Sequence, residues 1–154
     1  MDARVLDLFS GTGAVGLEAL SRGAKEVIFV DYHPAALELT KRNCELCLPS
    51  MSHAGVTAPR IVKSDLRRQI RLWPESHSSA ANKCFDLIFL DPPYGKGLAE
   101  QTLEHIDSSN LCAEGALVIA EESNDVKLPE TFEQSLNLTD KRRYGDTQFW
   151  FYTT

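Results

Sequence analysis

Short apolar runs alternate along the chain with stretches whose apolar residues recur every three or four positions, which predicts strands interleaved with helices. Arg4 to Phe9 is the first run, apolar enough for a buried parallel strand, and it breaks at Gly11, Gly13 and Gly16 into a tight turn and a helix start. Ala14, Val15, Leu17 and Leu20 give that helix an apolar face, Glu18 and Arg22 pair four positions apart outside it, and Gly23 ends it. Glu26 to Val30 reads as a second strand closing on Asp31. Pro34 suits a first helical position, and the helix it opens runs to about Cys47 with Leu37, Thr40 or Lys41, Cys44 and Leu48 inward. Pro49 to Pro59, rich in Ser, Gly and Pro, is a surface loop.

Arg60 to Lys63 is a third short strand ending at Ser64-Asp65, followed by one or two helical turns over Leu66 to Leu72 and a loop over Trp73 to Lys83. Phe85 to Leu90 is the clearest buried strand, and it runs straight into Asp91-Pro92-Pro93-Tyr94. Lys96 to Ile106 is helical, with Leu98, Thr102 or Leu103 and Ile106 inward, and Gly115 to Ala120 is the fifth strand. Thr131 to Leu138 and Gln148 to Tyr152 read as an antiparallel pair with a long hairpin connection around Gly145-Asp146. This order predicts an α/β, doubly wound, Rossmann-like domain over residues 1–154, whose mostly parallel seven-stranded sheet ends in a C-terminal antiparallel hairpin. In such sheets the ligand crevice lies at the carboxyl ends of the strands.

With 154 residues, 43% of them hydrophobic, the chain suffices for one domain with a sizeable core. No apolar run approaches the roughly 18 residues of a membrane span, and Met1-Asp2-Ala3 lacks the charged and apolar regions of a secretory signal, so a cytoplasmic protein is expected. Cys44 and Cys47 are spaced C-x-x-C, but inside a helical pattern with no matching second pair; like Cys84 and Cys112 they read as reduced thiols, and no metal is expected. A net charge of −6 counts against a partner held by a broad basic surface, RNA included. Arg67-Arg68 with Arg71, and Lys141-Arg142-Arg143, are local basic clusters of the kind that is usually solvated surface.

Gly11-x-Gly13-x-x-Gly16, with Asp31 at 20 positions beyond Gly11, matches the dinucleotide fingerprint, and taken alone it leaves NAD open. Charge separates the readings. A pyrophosphate wants an uncompensated helix end, yet Asp7 precedes the turn, whereas S-adenosylmethionine has no phosphate and carries a sulfonium and an ammonium that a carboxylate can hold. Asp7, Asp31, Asp65 and Asp91 each sit at a strand end, and carboxylates gathered on one rim repel unless a cationic or donor-rich ligand lies between them. Their order assigns Asp7 to the methionine end, Asp31 to the ribose hydroxyls and Asp65 to the adenine amine, with the Leu66 amide beside it. Asp91 and the Pro92 carbonyl are candidate acceptors that grip an exocyclic amine and aim its lone pair at the methyl group. Pro92 and Pro93 remove competing N–H donors, and Tyr94 would stack on the base.

D-L-F-S-G-T-G-A-V-G-L-E-A-L-S-R-G-A at 7–24, F-L-D-P-P-Y at 89–94 and Y-G-D-T at 144–147 resemble the bacterial small-subunit (16S) ribosomal RNA guanine methyltransferases, the RsmD family, over nearly the whole chain from Val5. The resemblance implies an S-adenosylmethionine-dependent methyltransferase sheet with a reversed last strand and methyl transfer to the exocyclic amine of a guanine. Amine methylation of DNA or of a protein glutamine, or a catalytically silent cofactor-binding fragment, stand as alternatives. The implied cofactor site is Asp7, Phe9, Ser10, Gly11, Gly13, Asp31, Tyr32, Asp65 and Leu66, and the catalytic set is Asp91, Pro92, Pro93 and Tyr94. Expected partners are ribosomal RNA or the small-subunit particle, with no membrane and a monomeric protein. Family members carry a segment before the first strand, with an Arg-Pro motif and a helix; here Met1 lies three residues ahead of that strand, so such a segment is expected to be lacking.

Overall fold

A computed structural model describes residues 2–50, 57–68, 70 and 84–154. The expected Trp73–Lys83 loop, most of Pro49–Pro59 and the far end of the Leu66–Leu72 helical turns lie outside the described residues. Seven strands, β1 (Arg4–Leu8), β2 (Glu26–Asp31), β3 (Arg60–Lys63), β4 (Phe85–Leu90), β5 (Cys112–Ser123), β6 (Asn137–Tyr144) and β7 (Thr147–Thr153), form one sheet in the order β3-β2-β1-β4-β5-β7-β6. The first five are parallel, and β7 runs antiparallel to both β5 and β6. The connection order reverses between β1 and β4, which is where a doubly wound sheet opens its crevice.

Residue parity along the strands divides the core in two. Val5, Val27 and Phe29 pack with Leu17 and Leu20 of α1 (Ala14–Ser21) and Cys44 of α2 (Pro34–Cys47) on one face. Leu6, Leu8, Ile28, Val30, Ile88 and Leu90 pack with Leu103 and Ile106 of α3 (Leu98–Asp107) on the other. Strands buried on both faces must be apolar throughout, which is why their sequence reads as unbroken runs. α1 departs from the expected face, because Val15 is exposed and Gly16 lies against the sheet. A Cβ on Gly16 would stand 2.2 Å from the Phe29 ring, so the glycine is what lets α1 approach β2. In α2 the buried positions are Thr40 and Cys44, with Lys41 outside.

The carboxyl half of the chain corrects the sequence reading twice. β5 begins three residues before Gly115 and continues three past Ala120, carrying Glu121, Glu122 and Ser123 into the sheet. β6 is Asn137–Tyr144 and not Thr131–Leu138, and it joins β7 through the two-residue turn Gly145-Asp146 in place of a long connection. Asn137–Tyr144 is nearly all exposed edge, with Lys141 over Trp150 (4.9 Å) and Arg142 over Phe151 (5.1 Å), so charged side chains roof the aromatic rings of the strand beside it. The apolar residues of 131–138 serve the core from the connection: Leu136 is buried, and Phe132 packs edge-on to Tyr152.

Candidate active site

At the carboxyl end of β1 the chain turns sharply. Phe9 adopts φ 59, a left-handed conformation that a bulky side chain rarely takes and that marks a constrained, functional turn. Gly11 (φ 53) and Gly13 (φ 76) complete the bend, and α2 holds it: Thr40 Oγ1 donates to the Gly11 carbonyl at 2.9 Å and Asn43 Nδ2 to that of Thr12 at 2.9 Å. Gly13 faces inward, where a Cβ would meet Thr40 at 2.9 Å. Gly11 is the open one, its nearest neighbour at that position being the Phe9 carbonyl at 3.9 Å.

The Asp7 carboxylate is buried, 2% exposed, and Oδ2 accepts the Gly16 amide of the first turn of α1 at 3.0 Å. The helix end expected to face a ligand is therefore capped from below by the protein's own carboxyl group, on an amide a phosphate would otherwise use. Burial, and then Asp91 and Asp31 nearby, push the Asp7 carboxyl up to about 7 against the pull of that amide. Asp31 holds the turn from the other side, with Oδ2 accepting the Gly11 amide at 3.0 Å and Oδ1 the His33 amide at 2.8 Å.

A cavity of about 850 Å³ opens beside this turn. Its wall brings together Phe9, Asp31, Tyr32, Asp65 and Leu66 from the expected cofactor set with all four residues Asp91 to Tyr94. Asp7, Ser10, Gly11 and Gly13 are not in the lining; they brace the wall, through the hydrogen bonds just described or by packing. Asp65, expected to face the adenine amine, is gripped by Arg67 in a two-pronged fork at 2.8 and 2.9 Å, which holds its carboxyl below the usual range. Arg67 also lies 5.0 Å from the centre of the Tyr32 ring. Its place beside the cavity is legible in the sequence only as part of a basic cluster.

The Asp91-Pro92-Pro93-Tyr94 loop leaves β4 with the Asp91 amide still on the Leu8 carbonyl (3.4 Å), and rests on a shelf that sequence reasoning missed. Tyr94 donates its hydroxyl to Glu121 and lies 3.3 Å from Thr147 Oγ1, and the Gly95 amide donates to Glu122 at 3.0 Å. Glu122 is fully buried, and its second oxygen has no hydrogen-bond partner among the described residues. Leu90 pairs with Ala120, so Asp91, just past the end of β4, comes beside Glu121, where β5 still continues. Asp91 is open at the mouth, yet enclosure by the cavity, then Glu121 and Glu122, push its carboxyl up to about 6. Tyr94 is raised to about 12, first by burial and then by its bond to Glu121, and so stays a neutral phenol.

The family model described as conserved hypothetical protein 95 matches residues 1–153. The chain belongs to this family, the RsmD methyltransferases. Among its relatives, the chain is 37% identical over 145 residues to YlbH of Bacillus subtilis, named as a candidate rRNA methyltransferase, covering 94% of this chain and 72% of that one. It is 31% identical to ribosomal RNA small subunit methyltransferase D of Haemophilus influenzae, over 90% of this chain and 69% of the relative. A solved structure from Streptococcus pyogenes, a conserved hypothetical protein, superposes with a TM-score of 0.77 at 26% identity, over 99% of this chain and 86% of the other. The Escherichia coli protein yhhF, described as a candidate methyltransferase, gives 0.75 at 29% identity, over 99% and 76%.

RsmD methyltransferases use S-adenosylmethionine, and the residues of this chain fit it. The cavity wall pairs the Asp31 carboxylate with the apolar surfaces of Phe9, Leu66 and Leu98, and buried Ser10 Oγ has no partner among the described residues. The remaining charge at the turn is acidic and suits a cofactor that brings cations and donors but no phosphate. Among the described residues no group of three or more His, Cys, Asp or Glu is placed to hold a metal ion, and no helix is long and apolar enough to cross a membrane.

Proposed function

We propose that this chain transfers a methyl group to the exocyclic amine of a guanine in small-subunit ribosomal RNA. The observation that carries the reading is the meeting, in one cavity, of the cofactor turn around Asp31 with the Asp91–Tyr94 loop. The names of the relatives supply the substrate class. S-adenosylmethionine supplies an electrophilic methyl on a sulfonium. Asp31 holds the ribose hydroxyls, the Tyr32 and Leu66 side of the cavity takes the adenine, and Asp65 and the Leu66 amide lie at its edge. Asp7, Ser10, Gly11 and Gly13 keep the turn in shape behind it, and Phe9 closes its floor.

An exocyclic amine is a poor nucleophile because its lone pair is delocalised into the ring. Asp91 and the Pro92 carbonyl accept its two hydrogens and so favour a pyramidal nitrogen with its lone pair free. The prolines keep the loop stiff, and Tyr94, fixed at its hydroxyl by Glu121 and Thr147, presents a ring on which the base stacks. Asp91 would accept the proton that the amine gives up on methylation, the methyl coming from the bound S-adenosylmethionine and the thioether product leaving as S-adenosylhomocysteine. No metal or covalent intermediate takes part, and positioning supplies most of the acceleration. One chain furnishes every group, as a monomeric single domain, and the rRNA substrate places it in the cytoplasm.

Single-turnover transfer of labelled methyl to small-subunit RNA, naked and as assembled particle, tests the reading. Mass analysis of the nucleosides should find N2-methylguanosine. Label on another base, or none on either substrate with the cofactor bound, would refute it.

A further inference from the structure

Basic side chains around the catalytic loop fall into two groups. Arg67 and Arg68 lie on Asp65 at 2.8 and 3.8 Å, Lys141 lies on Glu130 at 3.2 Å and Arg142 on Asp140 at 2.8 Å. Lys141 and Arg142 each have a carboxylate of their own, whereas Asp65 offsets one charge of the Arg67-Arg68 pair, which sits at the cofactor end of the cavity. Lys63 stands over the Tyr32 ring at the cofactor end, 5.9 Å from its centre. Lys96 and Arg143 remain, each without a carboxylate in ion-pair contact among the described residues. The Arg143 side chain donates from Nε to the Gly145 carbonyl at 3.0 Å.

Lys96 stands on the turn just after Tyr94, and Arg143 stands near the end of β6, on the strand paired with the one that carries Thr147. Lys96 is exposed and lines the same cavity as Asp91 to Tyr94. It sits between Gly95 (φ 66) and Gly97 (φ 69), and no heavy atom lies within 4 Å of where a Cβ would be at either glycine, so the turn stands clear of the fold. Its base is rigid, because Gly95 is bound to Glu122 and Tyr94 to Glu121. On the other side, Thr147 touches the Tyr94 hydroxyl and pairs with both Ser123 and Tyr144. That pairing sets the end of β6, with the 62% exposed Tyr144, on the same rim, and Arg143 follows one position back, opposite Gln148.

S-adenosylmethionine has a single carboxylate and so calls for at most one of two further cations. A nucleic-acid strand calls for both: the base stacked on Tyr94 has a phosphate on either side, and a chain of net charge −6 must meet those phosphates at specific points. Resting on the proposed RNA substrate, we propose that Lys96 and Arg143 are phosphate contacts that hold the RNA strand across the mouth, with Tyr144 offering a second stacking surface beside Tyr94.

Affinity for a small-subunit rRNA fragment, measured by fluorescence anisotropy with S-adenosylhomocysteine present over about 50–200 mM salt, tests the track. Lys96→Ala and Arg143→Ala should each weaken RNA binding several-fold and lower the slope of log affinity against log salt by about 0.7–0.9, the value for one phosphate. Lys96→Arg should restore most of the loss, and the Lys96→Glu/Arg143→Glu double variant should abolish binding. Affinity for S-adenosylhomocysteine, which also reports folding, should stay within about twofold of wild type. Unchanged RNA affinity and salt slope overturn the proposal, as does a parallel loss of S-adenosylhomocysteine binding in Lys96→Ala, which would make Lys96 a cofactor contact. A wild type that binds S-adenosylhomocysteine but not rRNA sinks the substrate reading along with it, whereas alanine variants that bind and methylate RNA normally sink only the track.

Discussion

Two carboxylates show how one residue type is put to different uses by its surroundings. Asp91, raised to about 6, must be ionised to accept hydrogens from an amine, so the methylation rate should climb with pH through an inflection near 6. Asp91→Ala should lower kcat by about 10²–10³ and leave S-adenosylhomocysteine affinity nearly intact, the mark of an interaction made mainly in the transition state. Calorimetry and single-turnover rates on the same protein check both halves, and a variant with most of its rate would remove Asp91 from the chemistry. Asp7 is raised to about 7 and belongs to the architecture. The unfolded chain releases this proton near pH 4, while the folded protein keeps it to about 7, so the group's stabilisation is complete below 4 and fades as pH rises through 7. Asp7→Asn keeps an acceptor for the Gly16 amide without the charge. It should narrow the difference in Tm between pH 5 and pH 8 by several degrees, at about 2–4 °C per kcal/mol for a chain of this size. An unchanged pH profile would show that the buried charge lies elsewhere.

The glycine turn works as an element because α1 lies flush on β2. Gly16→Ala forces a methyl to 2.2 Å from Phe29 and 2.9 Å from Val27, so it should cost about 1–3 kcal/mol or more. Phe29→Leu in the same chain should recover part of that, and thermal melts of both decide it. Motif reading takes Gly16 for part of a ligand loop, and only packing reveals its use. Central strands were readable because burial on both faces demands unbroken apolar runs, as in Phe85–Leu90. β6 was not, because an exposed edge such as Asn137–Tyr144 carries no apolar period, and the neighbouring 131–138 supplied a false one. Paired acids usually end a strand, so Glu121-Glu122 hid the shelf beneath Tyr94. Their partners, a phenol and the Gly95 amide, come from a loop some 27 positions away. Asp31 and Asp91 were visible because a strand end followed by acid is a local pattern. The roles of Arg67, Lys96 and Thr147 depend on juxtapositions that no local pattern encodes.

At the scale of the molecule, an acidic crevice whose helix end is already occupied by Asp7 should discriminate between cofactors by charge. S-adenosylhomocysteine should bind measurably and NAD at least about a hundredfold more weakly, since a pyrophosphate would lie against uncompensated carboxylates. Comparable affinities in calorimetry would contradict this electrostatic account. The strand order carries a different consequence. β7 lies between β5 and β6, so β6, although made earlier, has no neighbour in the sheet until β7 arrives. During folding the parallel half, with the cofactor turn, can close before Asn137–Tyr144 has a partner. The same late strand carries Thr147, which props the tyrosine of the catalytic loop. Docking of this seven-residue strand thus ties the Asp91–Tyr94 loop to the antiparallel end of the sheet, farthest from the cofactor turn.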